Sequence, residues 1–245
     1  MTLLSRWWPL LLLLLAWQLW VSFGHVASIV APAPLAVAGE LAAHPADFVR
    51  EGGATLLVAL AGLALGALLS LALAVLAWFS PLATGAISFP ALLVQATPLV
   101  ALMPVLARVL GYDQRTVVAA AALIAFFPTF VLAVSGLRAL PPGAADVFSV
   151  LGASRLARLR LLALPAAVPN LLTALRISSA NCILAALVAE FLMGTTGLGR
   201  LFAVSASSFE LPRAWAACLV ATVLSVLSYL ATQHLETLGR KRFLE

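Results

Sequence analysis

Asp146, Arg155, Arg158 and Arg160 fall within "DVFSVLGASRLARLRLLALP", residues 146–165, in a chain that carries few charges elsewhere. The same stretch holds Val147, Phe148, Val150 and Leu151, apolar side chains that a plain solvated loop does not need. Apolar side chains set among arginines make the surface chemistry of a protein-docking element. Ser154 is a suitable helix N-cap, and Leu156, Leu159 and Leu162 recur after it at helical spacing. Gly152 sits between the two helical pieces, where a turn with positive φ is easiest for glycine. Pro165 and Pro169 are expected to limit the helix before the next apolar run. The pattern alone also fits an interfacial helix that only anchors the loop.

Covalent chemistry finds no foothold in this sequence. A P-loop requires Gly-Lys-[Ser/Thr], but the only lysine is Lys241, which follows Arg240. There is no HExxH and no GxSxG. His25, His44 and His234 lack metal-ligand spacing, and Cys182 and Cys218 lie inside apolar runs, where they read as small buried hydrophobes. We therefore expect no enzyme activity, no metal and no bound cofactor.

The elements around these residues follow from composition. Of 245 residues, 64% are hydrophobic and 9% charged, with a mean hydropathy of +1.12. Soluble domains carry about 25% charged residues, so this is an integral membrane protein. The net charge of +5 then marks loop orientation rather than a nucleic-acid partner. Six apolar runs are long enough to span: 7–29, 54–78, 87–107, 116–137, 171–192 and 214–234. None alternates with period two, which argues against a β-barrel. The expected fold is an all-α polytopic membrane helix bundle. The first run follows Arg6 and reads as a signal peptide or a retained anchor; its length favours the anchor. A short amphipathic helix is expected in the turn-rich segment before the second run.

With both termini inside, nine basic residues lie on the inner side and five on the outer. That assignment makes 146–165 cytoplasmic. Within the six span cores only Arg176 and Glu190 are ionisable, apart from His25 and His234. Arg176 lies near an inner end and can snorkel. A carrier driven by protons or ions more often shows acids at mid-membrane, so the energy is expected to come from a partner.

Other polar residues inside the runs are candidates for a solute path. They are Gln95 and Thr97 beside Pro98, Ser178, Ser179 and Asn181, and Ser225, Ser228 and Tyr229. Helix–helix hydrogen bonding is the alternative role. Glu190 precedes Gly194, Gly197 and Gly199, and either caps or pairs within an outer gate or faces headgroups. Pro90, Pro98, Pro104 and Pro128 suggest kinked helices.

The 146–165 segment resembles the EAA loop of type I ATP-binding cassette (ABC) importer permeases, the inner-membrane components of binding-protein-dependent transport systems. That pattern is E-A-A, three residues, Gly, nine residues, then I-x-L-P. Here Asp146 stands for Glu, Val147-Phe148 for Ala-Ala, and Gly152 for Gly; Ala153 to Leu161 follow, then Leu162, Ala163, Leu164 and Pro165. The likeness extends from about residue 54 to the C-terminus. "LGASRLARLRLLALPAAVPNLLTALRISSA", "AEFLMGTTGLGRLF" and "FFPTFVLAVSGL" are similar to the nitrate/sulfonate/taurine branch, including members proposed to import riboflavin or thiamine-precursor pyrimidines. The resemblance implies a MetI-like fold, with 1–50 an N-terminal anchor and outer connecting segment. By the same resemblance residues 51–245 would form the permease core, with a cytoplasmic coupling loop at 140–170. It implies two cytoplasmic ABC ATPase subunits that hold the ATP, an extracytoplasmic substrate-binding protein and a second permease copy or paralogue. The solute would be a sulfonate-, nitrate- or taurine-like anion, or a vitamin precursor. A secondary carrier or a non-transporting scaffold are the rival readings.

Overall fold

The computed structural model describes residues 3–24, 27–28 and 30–244; His25 lies outside the described residues, and of Arg6 and Arg242 only the backbone is described. In chain order the helices are α1 (Leu3–Phe23), α2 (Pro34–Ala43), α3 (Pro45–Phe79), α4 (Pro81–Ala96), α5 (Leu99–Leu110) and α6 (Gln114–Arg138). They continue with α7 (Ala144–Val150), α8 (Arg155–Arg158), α9 (Leu164–Met193), α10 (Leu198–Ser207) and α11 (Leu211–Leu244). No strand occurs among the described residues.

The bundle is built on α3, α6, α9 and α11, with α6 packed between α3 and α9. Small residues allow this. Val117, Ala120, Ala121 and Ala125 of α6 are buried against Val58, Ala59 and Leu63 of α3 and Cys182, Ile183 and Ala186 of α9. Gly62 and Gly66, four apart on α3, face α6 so closely that a Cβ on Gly66 would stand 2.9 Å from the Ala125 Cβ. Without a hydrophobic drive between helices in lipid, such close backbone approach supplies the dispersion energy. One turn on, the Ser70 hydroxyl donates to the Phe126 carbonyl at 2.7 Å, tying the same pair of helices.

The structure changes the form of one of the six expected runs. Among the described residues four helices are long and apolar enough to cross a membrane: α3, the run from Arg155 to Met193, α6 and α11. The expected third span, 87–107, is instead α4 and α5 meeting at 109°, a fifth span only if the bent pair is counted as one. The break is at Thr97–Pro98. A proline pushes its predecessor out of the α region, and Thr97 adopts φ −82°, ψ 128°. The freed end is satisfied locally, since the Thr97 hydroxyl donates to the Leu93 carbonyl at 2.9 Å. Pro90, Pro104 and Pro128 lie inside continuous helices. The first run stops as helix at Phe23 rather than reaching 29.

Helices α3, α9 and α11 run further than their apolar runs suggest. Pro165 and Pro169 do not limit the helix as expected, because a π turn over Leu159–Ala163 lets the Leu164 N–H donate to the Leu159 carbonyl and joins α8 to α9. Pro165 follows just after the π turn, and Pro169 lies inside α9. Helix α11 continues well past 234 and so carries Glu236 and Arg240 in the bundle.

Candidate functional site

The docking-like segment is a helix, a sharp turn and a root in the core. Gly143 opens α7 with φ 75°. Asp146 is exposed in its first turn. The helix closes with the Ala153 N–H donating to the Phe148 carbonyl at 2.9 Å and the Gly152 N–H to the Ser149 carbonyl at 3.0 Å. This reciprocal C-terminal pattern requires a left-handed residue just past the helix end, and Gly152 has φ 66°. Beyond it the Ser154 hydroxyl accepts from the Ala157 N–H at 3.2 Å, the expected cap. Val147, Val150 and Leu151 are exposed, Val150 to 88%, while Phe148 is half-buried. On the other side of the turn Leu159 and Ala163 are buried against Ala133 and Leu137 of α6, and Leu164 packs on the same cluster. Leu162 and Pro165 are half-buried. Exposed apolar groups on one short helix are thus held by a segment fixed rigidly in the bundle.

The candidate path residues do not form one site. Gln95 and Asn181 line a common cavity of about 350 Å³ with Leu99, Val100, Ile124 and Leu184. Both carboxamides are exposed on the single chain, and among the described residues neither makes a hydrogen bond. Thr97 is spent on its own helix end. Ser178 is buried opposite Thr129, their hydroxyls 3.5 Å apart. Ser179 faces Thr232 at 3.1 Å. The Tyr229 ring lies under the Arg176 guanidinium, 5.6 Å from its centroid.

Arg176 does not simply snorkel. It pairs with Glu236 at 3.1 Å, and Arg240 meets the same carboxylate at 3.0 Å. The Thr173 hydroxyl donates to Glu236 at 2.8 Å. Glu236 escaped the sequence reading because its apolar run ends at 234; its four-residue spacing from Arg240 was the available signal.

Glu190 faces no headgroups: it is 1% exposed and works as a helix cap. The first N–H groups of α10 lack intrahelical partners. Gly197 donates to Glu51 at 2.7 Å, Leu198 to the Thr55 hydroxyl at 2.8 Å, and Gly199 to Glu190 at 3.0 Å. Carboxylates at a helix N-terminus also meet the positive end of its dipole. Glu51 and Thr55, one turn apart on α3, were missed in sequence because nothing local ties them to a loop so distant in the chain. Nearby, Arg213 of α11 and Asp47 of α3 form an ion pair at 2.6 Å.

Residues 62–240 match the family described as the binding-protein-dependent transport system inner membrane component. This chain belongs to that family. The permease is 31% identical over 231 residues to a probable ABC transporter permease protein of Haemophilus influenzae, covering 93% of this chain and 94% of the relative. It is 30% identical over 186 residues to the formylaminopyrimidine transport permease protein ThiX of Halalkalibacterium halodurans, covering 76% and 74% respectively. Among solved structures it superposes on an inward-facing MetNI methionine ABC transporter with a TM-score of 0.68 at 17% identity, covering 78% of this chain and 95% of that one. The permease therefore has the MetI-like fold and is a multi-pass inner-membrane subunit of an ABC importer, not an enzyme.

Proposed function

We propose that this permease moves a small uncharged solute of the vitamin-precursor class inward by alternating access, driven by two partner ATPases. The observation that carries the reading is the α7–Gly152 turn: exposed Val147, Val150 and Leu151 beside half-buried Phe148, on a helix whose continuation is fixed in the core. A helix presenting apolar side chains from a rigid root suits a groove on a partner and can pass its motion to the spans. In this reading residues 140–170 are the coupling loop and Asp146, Val147, Phe148, Gly152 and Ala153 its contact end. Residues 1–50 serve as anchor and connecting segment. Both termini are cytoplasmic, and ATP is held by the partner, none by this chain.

The solute class rests on the Gln95–Asn181 cavity. Its lining has two carboxamides, apolar side chains and no charge. An anion such as a sulfonate would lose its hydration there without a cationic partner, whereas a neutral heterocycle can exchange hydrogen bonds with both carboxamides. Relatives named for formylaminopyrimidine and riboflavin transport agree with this choice, against one named for aliphatic sulfonates. Exposed carboxamides at membrane depth also need covering, which favours a second permease copy across this face. The test is uptake into proteoliposomes holding the permease and its ATPases, with the external binding protein added. Uptake of a pyrimidine precursor or flavin that needs both ATP and the binding protein is expected. Uptake without ATP would make this a secondary carrier, and efficient uptake of taurine would overturn the solute class.

A further inference from the structure

A cavity of about 270 Å³ lies where the last turn of α3 meets the coupling loop, walled by Trp78, Phe79, Leu140, Arg155, Arg158 and Leu162. No carboxylate lines it. Among the described residues neither Arg155 nor Arg158 joins an ion pair. The Arg158 Nε is shut off from solvent and has no acceptor. Two guanidinium groups without ion pairs, on a cavity wall that has no carboxylate, make this a place for something anionic.

We propose that this cavity holds the phosphodiester headgroup of an anionic phospholipid. Two guanidinium groups present several N–H donors to the non-bridging oxygens. Trp78 and Phe79 end a membrane-crossing helix, the level at which an amphipathic indole meets headgroups. A lipid fits better than a free anion because exposed apolar side chains lead away from the aromatic wall. Leu76 and Phe79 on α3 and Leu82 on α4 are exposed, Leu82 to 87%, and they give the acyl chains a surface to follow. Basic pockets at helix ends beside a leaflet surface select such headgroups. The inference goes beyond the transport reading and does not depend on which leaflet this end meets. Because Arg155 and Arg158 follow the Gly152 turn directly, a bound lipid would brace the coupling loop against the bundle.

Native mass spectrometry of the permease–ATPase complex, titrated with phosphatidylglycerol or phosphatidylcholine, tests this. Phosphatidylglycerol is expected to be retained and phosphatidylcholine not. Arg155→Gln with Arg158→Gln should weaken phosphatidylglycerol retention about thirtyfold, while Arg115→Gln, on another loop, should leave it unchanged. Arg155→Gln alone alters an exposed side chain and should weaken retention on its own without loss of folding. Unchanged retention in the single and double variants would overturn the site. Equal binding of water-soluble glycerophosphoglycerol would overturn the lipid assignment and leave a free-anion site.

Discussion

The Thr55 hydroxyl donates to Glu190 Oε2 at 2.8 Å, joining α3 to α9 across 135 positions of sequence. The same hydroxyl oxygen accepts the Leu198 N–H. One buried side chain therefore holds three helices, and its loss leaves a helix N-terminus and a carboxylate short of a partner.

Thr55→Val is expected to destabilise the permease by about 1–3 kcal/mol, the cost of leaving buried polar groups unsatisfied. Thr55→Ser keeps the hydroxyl and should recover most of that loss. Thermal unfolding midpoints of the two purified variants check this; equal midpoints would mean the hydroxyl is not what matters.

Gly152→Val is expected to leave membrane insertion intact and to weaken ATPase co-purification and ATP-dependent uptake. A Cβ at Gly152 meets nothing within 4 Å, so the penalty is purely conformational. At φ 66° it amounts to about 1–3 kcal/mol. Gly152→Asn tolerates the left-handed region and should retain more coupling. Phe148→Ala should act like the valine variant through lost apolar contact. Full uptake with Gly152→Val and Phe148→Ala combined would reduce the loop to an anchor.

Gly66→Leu should abolish stable folding, since even a Cβ would crowd the Ala122 carbonyl and Ala125. Gly53, on the same helix, has nothing within 4 Å of its would-be Cβ. Gly53→Ala should raise stability by about 0.5–1 kcal/mol through helix propensity. Opposite shifts in detergent unfolding curves are the expected readout.

Glu236→Ala leaves the three-quarters-buried Arg176 without its countercharge and should cost about 3 kcal/mol. Adding Arg176→Met should return most of it, since replacing both partners by apolar groups is close to neutral. A double-mutant cycle that adds without coupling would show that the pair is incidental.

Cysteines introduced at Ser154 and at Tyr112, both exposed positions at opposite ends of the bundle, should differ in intact cells. The first should resist an impermeant thiol reagent and the second react with it. The reverse pattern would invert the orientation drawn from the basic-residue asymmetry.

Local signals were legible in the sequence and long-range ones were not. Ser154 as a cap and Gly152 at positive φ follow from residue type and neighbours alone. The helical class and the α3, α6 and α11 spans follow from apolar run length. The Thr97–Pro98 bend was within reach, because that dipeptide carries its own backbone bias, but its 109° angle depends on where α5 packs. The π turn has no sequence period of its own, so the continuity through Pro165 was hidden. Glu51, Thr55 and Glu190 act together only because three helices converge, and no local pattern encodes a partner so far along the chain.

The continuity of α8, the π turn and α9 gives the permease a single rod from Arg155 to Met193, 39 residues long. At 1.5 Å per residue it measures roughly 58 Å. One end adjoins the Gly152 turn and the other carries Glu190 beneath α10. Were it to tilt as one body, such a helix would act as a lever arm. Pivoting about its middle by roughly 10°, within the range of tilts that spanning helices adopt, it would swing each tip by about 5 Å in opposite directions. A small push at the loop would then appear at the far face as a displacement of equal size and opposite sense, with no relay of side chains needed between them.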